Sequence, residues 1–406
     1  MSHAAVQRGP VMSSPIHFAG GDVRNPDNNM QSSQGTELPT SSPKYLVEVK
    51  DLVIKYGNVT AVHGVSLKVR AGEFLTLLGP SGCGKTTILR SLAGLERPTS
   101  GEIRIDGNVV YSSEQRIDVP SDQRNMSMVF QSYAIWPHMT AFENVVYGLR
   151  VRRRPKAEIL ERGRWALDLV QMGMYADRRA SALSGGQQQR IALARAVAFG
   201  PSVILFDEPL SNLDANLRVQ MRREIKDLQR SLGVTSVYVT HDQEESLTMS
   251  DRIIVMSNGR IEQEATPDEL YDYPVNRFVA NFIGSANLFP GRVRTPDRQA
   301  QTVEFELANG ASILAVDRRP TAAAECLVAI RTIYPVLCRS QEQVPQGYNW
   351  WPCTITRSVF SGDFIEYAVE TAWGELLVRR PPNDRFETGS QAIVCVDPVH
   401  CVVVNA

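Results

Sequence analysis

Residues 72–93 read GEFLTLLGPSGCGKTTILRSLA: an apolar run, a glycine-rich turn and a segment of helical periodicity. A short continuous apolar run is typical of a fully buried strand. The turn fits the pattern G-x-x-x-x-G-K-[ST], in which glycines let backbone N–H groups curl around phosphate oxygens at a helix N-terminus. A glycine-rich turn without a ligand is the alternative. The pattern predicts that a nucleotide's phosphates bind to Gly79, Pro80, Ser81, Gly82, Cys83, Gly84, Lys85 and Thr86.

A pair of acidic residues stands at the end of another apolar run. Residues 203–206 read VILF and are followed directly by Asp207 and Glu208. Burying this run places both carboxylates at the C-terminal edge of a sheet, where open α/β sheets bind ligands. There Asp207 and the Thr86 hydroxyl can hold Mg²⁺, while Glu208 polarises a water molecule. Lys85 reaches the β- and γ-phosphates. The start of a solvated loop is the alternative for the acidic pair.

Buried-strand patterns recur along the chain with helical patterns between them. They read SVILF (202–206), SVYVT (236–240) and RIIVM (252–256). Strands of this kind, separated by helices, predict a mainly parallel sheet covered on both faces, that is, an α/β fold. After SNLDAN (211–216), apolar residues recur at the spacing of a core-facing helix, with Gly233 placed as its C-terminal cap. These apolar residues are Leu217, Met221, Ile225, Leu228 and Leu232.

The composition is that of a soluble folded chain. Its 406 residues carry 43 Lys and Arg against 44 Asp and Glu, which leaves a net charge of -1 and no basic field for nucleic acid. We find no run of 18 apolar residues and no secretory signal, so the chain is expected neither to span a membrane nor to leave the cytosol. Without a C-x-x-C pair, the cysteines are expected to be reduced, buried thiols. They are Cys83, Cys326, Cys338, Cys353, Cys395 and Cys401.

Three regions differ in character. Residues 1–43 are rich in Ser, Gly, Asn, Gln and Pro, which predicts a disordered N-terminal tail. Residues 44–284 contain the α/β patterns described above. Residues 285–406 contain several short strand-like segments and no long helical pattern, which predicts a small all-β barrel or sandwich.

Residues 183–190, LSGGQQQR, resemble the signature sequence of ATP-binding cassette (ABC) proteins, and VILFDE resembles the Walker B strand of that family. The resemblance extends over roughly residues 45 to 285. It implies a P-loop NTPase cassette with an antiparallel β subdomain and a helical subdomain, followed by a small all-β OB-like domain. It also implies that ATP and Mg²⁺ are the ligands.

The resemblance carries roles onto further residues. Tyr56 is implied to stack on adenine, Gln131 to be the Q-loop glutamine, and His241 to be the switch histidine. With Glu208, both Gln131 and His241 are implied to be catalytic, and Gln131 joins Thr86 and Asp207 as a Mg²⁺ ligand. Purely structural roles are the alternatives for Tyr56 and His241. The other nucleotide contacts implied are Thr87, Ser184, Gly185, Gly186, Gln187 and the D-loop residue Asp214.

In the family two cassettes pack head to tail, and each signature closes over the γ-phosphate held by the partner's phosphate loop. Ser184 and the glycines after it stand at the start of a helical pattern, so their N–H groups and the helix dipole can face that anion. Residues 131–140, QSYAIWPHMT, correspond to the groove that receives a helix of a membrane subunit. Ordinary packing of a helical subdomain is the alternative for Trp136, and a structural role is expected for His138.

The region after the cassette resembles bacterial solute importers with a C-terminal TOBE domain. Residues 273–291, from YPVN through IGSANLFPG, resemble the junction in these importers, closest to those for ferric iron, polyamines, phosphonates or sulfate. Residues 331–335, RTIYP, depart from the arginine-proline-glutamate pattern that is usual there, which puts an inherited regulatory ligand in doubt.

Together these patterns predict an ATP-hydrolysing, energy-coupling importer subunit, with ferric iron, a polyamine or a phosphonate as the solute. It is expected to work as a homodimer on two transmembrane permease subunits, peripherally at the cytoplasmic face of the inner membrane. A periplasmic solute-binding protein takes part indirectly, and no nucleic acid is expected. The alternative is a soluble ABC ATPase acting on nucleic acid or ribosomes. It is disfavoured by the single phosphate loop and signature and by the absence of sustained heptads. An exporter subunit is disfavoured because no membrane segment is fused to the cassette.

Overall fold

The computed structural model of the chain describes residues 45–295, 302–318 and 326–406. The tail predicted over residues 1–43 lies outside the described residues. Strands and helices are mixed from residue 45 to residue 282. In chain order they are β1 (Tyr45–Tyr56), β2 (Val59–Arg70), β3 (Phe74–Leu78), α1 (Lys85–Ala93), β4 (Ser100–Ile105), β5 (Asn108–Ser112), β6 (Ile117–Asp118), β7 (Met126–Val129), α2 (Ala141–Val151), α3 (Lys156–Leu169), α4 (Gly185–Val197), β8 (Val203–Asp207), α5 (Ala215–Leu232), β9 (Thr235–Thr240), α6 (Gln243–Met249), β10 (Arg252–Ser257), β11 (Arg260–Ala265), α7 (Pro267–Asp272) and α8 (Arg277–Phe282).

From residue 286 onward the described segments are strands joined by loops and single 3-10 turns. The strands are β12 (Ala286–Thr295), β13 (Val303–Leu307), β14 (Ser312–Ala315), β15 (Cys326–Arg331), β16 (Val336–Cys338), β17 (Asn349–Phe360), β18 (Ile365–Thr371), β19 (Gly374–Arg380), β20 (Gln391–Val396) and β21 (Cys401–Asn405).

The central sheet has the order β11-β10-β3-β9-β8-β7. From β10 to β7 all its neighbours pair in parallel, and β11 is added as an antiparallel edge. Every residue of β3, β8 and β9 is buried, because the sheet is covered on both faces. The α/β fold predicted from the apolar runs is confirmed. The register pairs Leu78 with Thr240 and Asp207 with Val239, so the three strands end at one edge of the sheet.

An antiparallel sheet of order β2-β1-β4-β5-β6 packs beside this edge. Apolar side chains of β1 and β2 share a hydrophobic core with α1 and with one face of the central sheet. Backbone also makes direct contact between the two sheets, since the His63 N–H donates to the Gly259 carbonyl over 2.9 Å. The antiparallel sheet is therefore fixed against the turn between β10 and β11.

Helices α2, α3 and α4 form a second packing unit against the other face of the central sheet. Reciprocal capping boxes begin α2, between Thr140 and Glu143, and α4, between Ser184 and Gln187. Helix α5 runs where the leucine and isoleucine spacing predicts it. Gly233 ends it in a left-handed conformation, which confirms the predicted cap.

The C-terminal strands form two five-stranded antiparallel sheets, of order β14-β13-β12-β15-β21 and β16-β20-β17-β18-β19. Each sheet has its own apolar core, and three aromatic rings contact both cores. Phe289 and Trp351 meet the ring of Trp373 edge to face, at centroid distances of 4.3 and 4.9 Å. The predicted all-β character is confirmed. The six cysteines are all free and buried, as expected.

A buried arginine of β15 joins these strands to α7 and α8. Arg331 is 4% exposed, and its guanidinium donates to the Tyr271 carbonyl over 2.6 Å, to the Ala280 carbonyl over 2.6 Å and to the Ile283 carbonyl. It also lies 4.5 Å from the centre of the Tyr271 ring. Burial lowers the pKa of Arg331. The residue that begins the unusual RTIYP stretch thus satisfies the carboxyl ends of two helices.

Two amide side chains add to this junction. Asn287 behaves like an extra strand residue: its Oδ1 accepts from the Leu377 N–H over 2.7 Å, and its Nδ2 donates to the Leu377 carbonyl over 2.9 Å. Gln243, at the start of α6, accepts from the Gly284 N–H through Oε1 over 2.9 Å. The junction is therefore bonded both to the C-terminal sheets and to α6.

We predict that Arg331→Met lowers the free energy of unfolding by about 3 kcal/mol, because buried carbonyls left without a donor cost about 1–3 kcal/mol each. Urea unfolding followed by circular dichroism measures this. Arg331→Lys should lose less than Arg331→Met, since it keeps the charge and some donors, although one nitrogen replaces the three that bond carbonyls here. Arg357→Met, on the exposed part of β17, is the control and should change stability by less than about 0.5 kcal/mol. Equal stability of the Arg331→Met and Arg357→Met variants would contradict this role.

Candidate functional site

The predicted phosphate-binding turn, the acidic pair and the histidine all follow strands of the central sheet. The turn connects β3 to α1, Asp207 ends β8 and precedes Glu208, and His241 follows β9. Since β9 lies between β3 and β8, the structure brings these groups to one edge of the sheet. This is the edge at which open α/β sheets bind ligands.

Glycines of the turn are required by space and by backbone conformation. A Cβ on Gly79 would overlap the Met256 carbonyl oxygen and would lie 2.7 Å from the Cys83 Sγ. Gly84 has φ +98°, and a Cβ there would lie 2.8 Å from the Ala61 carbonyl oxygen. No side chain can replace them without moving backbone. The turn therefore keeps its backbone uncovered, which a cradle for phosphate oxygens requires.

Lys85 lies inside this turn. It is 4% exposed, and its Nζ donates to the Gly79 carbonyl over 2.7 Å and to the Pro80 carbonyl over 2.9 Å. No carboxylate pairs with it among the residues that the structure describes. Burial raises the pKa of the neighbouring Cys83, so its thiol is neutral and does not balance the ammonium charge. A buried cation whose partners are two carbonyl oxygens and a neutral thiol suits an anion such as a phosphate group.

A hydroxyl and a carboxylate meet beside the lysine. The Thr86 Oγ1 donates to the Asp207 Oδ1 over 3.0 Å. Arg90 lies on the other carboxylate oxygen, at 3.6 Å from its Nη2 to Oδ2, and Asp207 itself is buried. Hydroxyl and carboxylate oxygens are the ligands that Mg²⁺ prefers, so this donor set fits the ion.

Glu208 and His241 form a second polar pair at the same edge. The His241 Nδ1 is 3.2 Å from the Glu208 Oε2, and the histidine side chain is the more exposed of the two. Glu208 has φ 45°, a left-handed conformation that costs a non-glycine residue about 1–2 kcal/mol. Its N–H donates to the Val239 carbonyl over 3.0 Å, and its carbonyl accepts from the Ser211 Oγ over 3.0 Å, which holds this conformation. Strain that is held in this way is frequent at functional sites.

Gln131 is exposed just after β7. Its carbonyl accepts from the Asn212 Nδ2 over 2.8 Å, so the structure joins the Gln131 segment to the predicted D-loop. Within the described residues no contact joins the Gln131 side chain to Thr86 or Asp207. Asp214 caps α5, since its Oδ1 accepts from the Leu217 N–H over 2.9 Å.

Tyr56 and Thr87, both implied to contact nucleotide, come together from different parts of the sequence. Tyr56 ends β1 and is about half exposed. Burial of its phenol raises its pKa, and the Thr87 and Glu96 side chains interact with the phenol. An aromatic face accessible beside the turn is what stacking on a base needs.

The predicted signature residues begin α4. The Ser184 Oγ accepts from the Gln187 N–H over 3.4 Å, and the Gln187 Oε1 accepts from the Ser184 N–H over 3.0 Å. Gly186 packs so closely on α5 that a Cβ would lie 2.9 Å from a methyl group of Leu217. Ser184 and Gly185 are exposed. Within the described part of one chain, no contact joins these residues to the phosphate-binding turn.

Sequence reasoning missed Arg195 of α4. Its Nη1 donates to the Ala134 carbonyl and its Nη2 to the Tyr133 carbonyl, each over 2.6 Å. Both of these residues have positive φ angles, 62° for Tyr133 and 46° for Ala134. One signal was available: the helical run IALARAVAF (191–199) carries this single charge among apolar residues, and such a charge needs a partner.

Comparison with known proteins finds two matching family models. A family model described as ABC transporter matches residues 62–211, and one described as TOBE domain matches residues 335–404. The solved structure of cbiO1 from Clostridium perfringens, described as part of the ABC transporter complex cbiONQ, has a TM-score of 0.51 and 27% identity. The similarity covers 56% of this chain and 90% of that one. In the regions described, we find no helix that has the length and hydropathy of a membrane span.

Two curated relatives match most of the chain. The Fe(3+) ions import ATP-binding protein FbpC of Brucella abortus is 45% identical over 339 residues, which cover 82% of this chain and 90% of that protein. The spermidine/putrescine import ATP-binding protein PotA of Rubrobacter xylanophilus is 42% identical over 366 residues, which cover 88% of this chain and 93% of that protein. This chain therefore belongs to the import ATP-binding proteins of the ABC transporter family, and it is an ATPase with an ABC cassette and an all-β TOBE domain.

Proposed function

We propose that this chain is the energy-coupling subunit of a bacterial solute importer and hydrolyses Mg-ATP at the edge formed by β3, β8 and β9. The observation that supports this most directly is the set of groups at that edge. A buried lysine without an acidic partner among the described residues, a hydroxyl–carboxylate pair and a glutamate–histidine pair lie there together. Phosphoryl transfer requires these functions in one place. We assign residues 44–284 to the cassette and residues 285–406 to the C-terminal domain.

The turn between β3 and α1 binds the phosphates. Its backbone N–H groups and the N-terminus of α1 supply partial positive charge. When nucleotide binds, the Lys85 Nζ exchanges its carbonyl partners at Gly79 and Pro80 for phosphate oxygens. The negative charge of these oxygens balances the charge of the ammonium group. Tyr56 provides the aromatic face for adenine, and Thr87 lies beside it.

We assign the Mg²⁺ ion to Thr86 and Asp207, with Gln131 as a third ligand on the basis of the resemblance. When bound, the ion neutralises charge on the β- and γ-phosphates. Asp207 is held at the end of β8, and Thr86 at the start of α1, so both oxygens are fixed by buried elements. Arg90 contacts the same carboxylate, with its Nη2 3.6 Å from Oδ2.

We propose that Glu208 is the base that orients the attacking water. Its carboxylate accepts the proton of that water as the water oxygen bonds to the γ-phosphorus and the bond from this phosphorus to the ADP oxygen breaks, which releases ADP and phosphate. His241 holds this carboxylate through Nδ1, so its other ring nitrogen is free to contact the γ-phosphate. The left-handed backbone of Glu208, held by Val239 and Ser211, fixes the direction of the carboxylate.

A second copy of the chain completes the site. Ser184 and Gly185 present the exposed N-terminus of a thirteen-residue helix, which attracts an anion. We propose that they face the γ-phosphate bound by the partner, in a head-to-tail homodimer. ATP then bridges the two chains, and its hydrolysis separates them.

An aromatic pair on the helical unit is proposed to face the membrane subunits. The ring of Trp136 packs on the ring of Tyr147 at 4.2 Å, and Tyr147 is 38% exposed. His138, between them in sequence, is also exposed. Exposed aromatic residues are frequent anchors of protein interfaces. We propose that a helix from each of two transmembrane permease subunits docks here, which places the chain at the cytoplasmic face of the membrane.

Ferric iron, a polyamine or a phosphonate is the proposed solute. The names of the relatives refer to import of Fe(3+) ions and of spermidine and putrescine, which supports the first two classes. A periplasmic solute-binding protein would deliver the solute to the permease subunits, and we propose no role for nucleic acid.

We predict that Glu208→Gln lowers kcat for ATP hydrolysis by at least about 100-fold, because the variant lacks the base, while ATP still binds. Phosphate release measures turnover, and a fluorescent ATP analogue measures binding. Glu244→Gln, an exposed carboxylate of α6, is the matched control and should keep kcat within about twofold. Hydrolysis at the parent rate by Glu208→Gln would remove Glu208 from this role.

Asp207→Asn should raise the Mg²⁺ concentration needed for half-maximal activity by about tenfold or more, since it removes a charged ligand. A magnesium titration of ATPase activity at saturating ATP tests this. Asp227→Asn, on the exposed side of α5, serves as the control and should leave the titration unchanged. An unchanged titration for Asp207→Asn would mean that this carboxylate does not bind the ion.

The partners are tested with the tagged Glu208→Gln variant, loaded with ATP and purified from detergent-solubilised membranes. Mass spectrometry should identify polytopic membrane subunits among the proteins that co-purify. If RNA or ribosomal proteins co-purify instead, the importer role is wrong, and the soluble ABC ATPase alternative takes its place.

A further inference from the structure

Two successive non-glycine residues between Gln131 and Trp136 have left-handed backbone. Tyr133 and Ala134 have φ angles of 62° and 46°, a conformation that glycine adopts freely and other residues seldom adopt. Two such residues in a row do not persist unless their surroundings hold them. The strained pair lies outside the phosphate-binding turn and outside the acidic pair, so the chemistry described above does not account for it.

One guanidinium group holds the strained pair. Arg195 donates from Nη1 to the Ala134 carbonyl and from Nη2 to the Tyr133 carbonyl, both over 2.6 Å. Its guanidinium also lies 5.1 Å from the centre of the Trp136 ring. In the described chain no carboxylate pairs with Arg195. Burial lowers its pKa to about 10, so it remains charged at neutral pH. The planar fork of arginine presents two nitrogens, Nη1 and Nη2, one to each of the two carbonyls, whereas a lysine has a single nitrogen.

The residues on either side of the strained pair are fixed to different neighbours. On one side, the Gln131 carbonyl accepts from Asn212 of the predicted D-loop. On the other side, buried Asn144 accepts from the Trp136 N–H over 2.9 Å and donates to the Trp136 carbonyl over 3.1 Å. Arg195 bonds the two carbonyls of Tyr133 and Ala134, which lie between these two fixed residues. It belongs to α4, the helix that begins with the predicted signature residues.

We propose that Arg195 is a positioning residue: its guanidinium holds the left-handed Tyr133 and Ala134 peptides so that Gln131 and Trp136 keep fixed positions relative to α4. This inference rests on the proposed function, in which Gln131 serves the nucleotide site and Trp136 faces a membrane subunit. Arg195 thereby ties three parts together: the helix that faces the partner's nucleotide, the glutamine of its own site and the surface that contacts the membrane subunit.

The proposal is tested by relieving the strain independently of the arginine. Glycine tolerates the left-handed conformation, so Ala134→Gly should compensate for Arg195→Lys. We expect Arg195→Lys to lower kcat of the full-length protein about tenfold with little change in KM. A double-mutant cycle compares the effect of Arg195→Lys in the parent with its effect in the Ala134→Gly variant. The kcat of the double variant relative to Ala134→Gly should be at least fivefold higher than the kcat of Arg195→Lys relative to the parent. Ala71→Gly, at an exposed loop position with ordinary φ, should give no recovery.

The same cycle is read in thermal unfolding. Ala134→Gly should raise the unfolding midpoint more in Arg195→Lys than in the parent. If the single variant Arg195→Lys fails to fold while the double variant folds, this also supports the positioning role of Arg195. An unchanged kcat in Arg195→Lys, or equal recovery by Ala71→Gly and Ala134→Gly, would overturn it. The proposed site is tested separately by adding Glu208→Gln to the rescued variant. Hydrolysis that persists in this triple variant would refute the proposed site and would leave the positioning role of Arg195 standing.

Discussion

The parallel alignment of three buried strands is the constraint on which the rest of the molecule depends. Because β9 pairs in parallel with both β3 and β8, and because Leu78 is level with Thr240 and Asp207 with Val239, all three strands end at one edge. Every side chain within these strands is buried, so polar groups emerge only where the strands stop. This register, and not their spacing in sequence, brings together the phosphate-binding turn, the acidic pair and His241.

At this edge the chain keeps several groups in states that are unfavourable in isolation. Lys85 is a buried cation held by carbonyl dipoles, and Glu208 has a left-handed backbone. In the proposed function Lys85 binds a nucleotide phosphate and Glu208 activates water, which accounts for both costs. Farther away, Arg331 of β15 donates hydrogen bonds to carbonyls at the carboxyl ends of α7 and α8. Gln243 connects the start of α6 to the same junction. The C-terminal sheets are thus bonded to the helix that follows His241.

Much of the fold could be predicted because burial leaves a clear periodic signal. The runs at 202–206 and 236–240 are continuous and apolar, and the spacing from Leu217 to Leu232 is helical, so β8, β9 and α5 were predictable. The turn at Lys85 was predictable because its glycines form a recognisable pattern in the sequence. The structure leaves no space for a side chain at Gly79 or Gly84, which explains why glycine stands there. The left-handed Tyr133 and Ala134 were not, since neither is a glycine and their conformation depends on Arg195, 61 residues away from Ala134. The predicted D-loop residue Asp214 also caps α5 through its carboxylate, a role that the D-loop motif alone does not indicate.

The most direct measurement is a crystal structure of the full chain with Mg²⁺ and a non-hydrolysable ATP analogue. The Lys85 Nζ should leave the carbonyls of Gly79 and Pro80 for the terminal phosphates, with the metal bound by the oxygens of Thr86 and Asp207. The signature residues of a second copy should close over the γ-phosphate. Phosphates bound away from the ends of β3, β8 and β9, with Lys85 still bonded to its own turn, would contradict the proposed site.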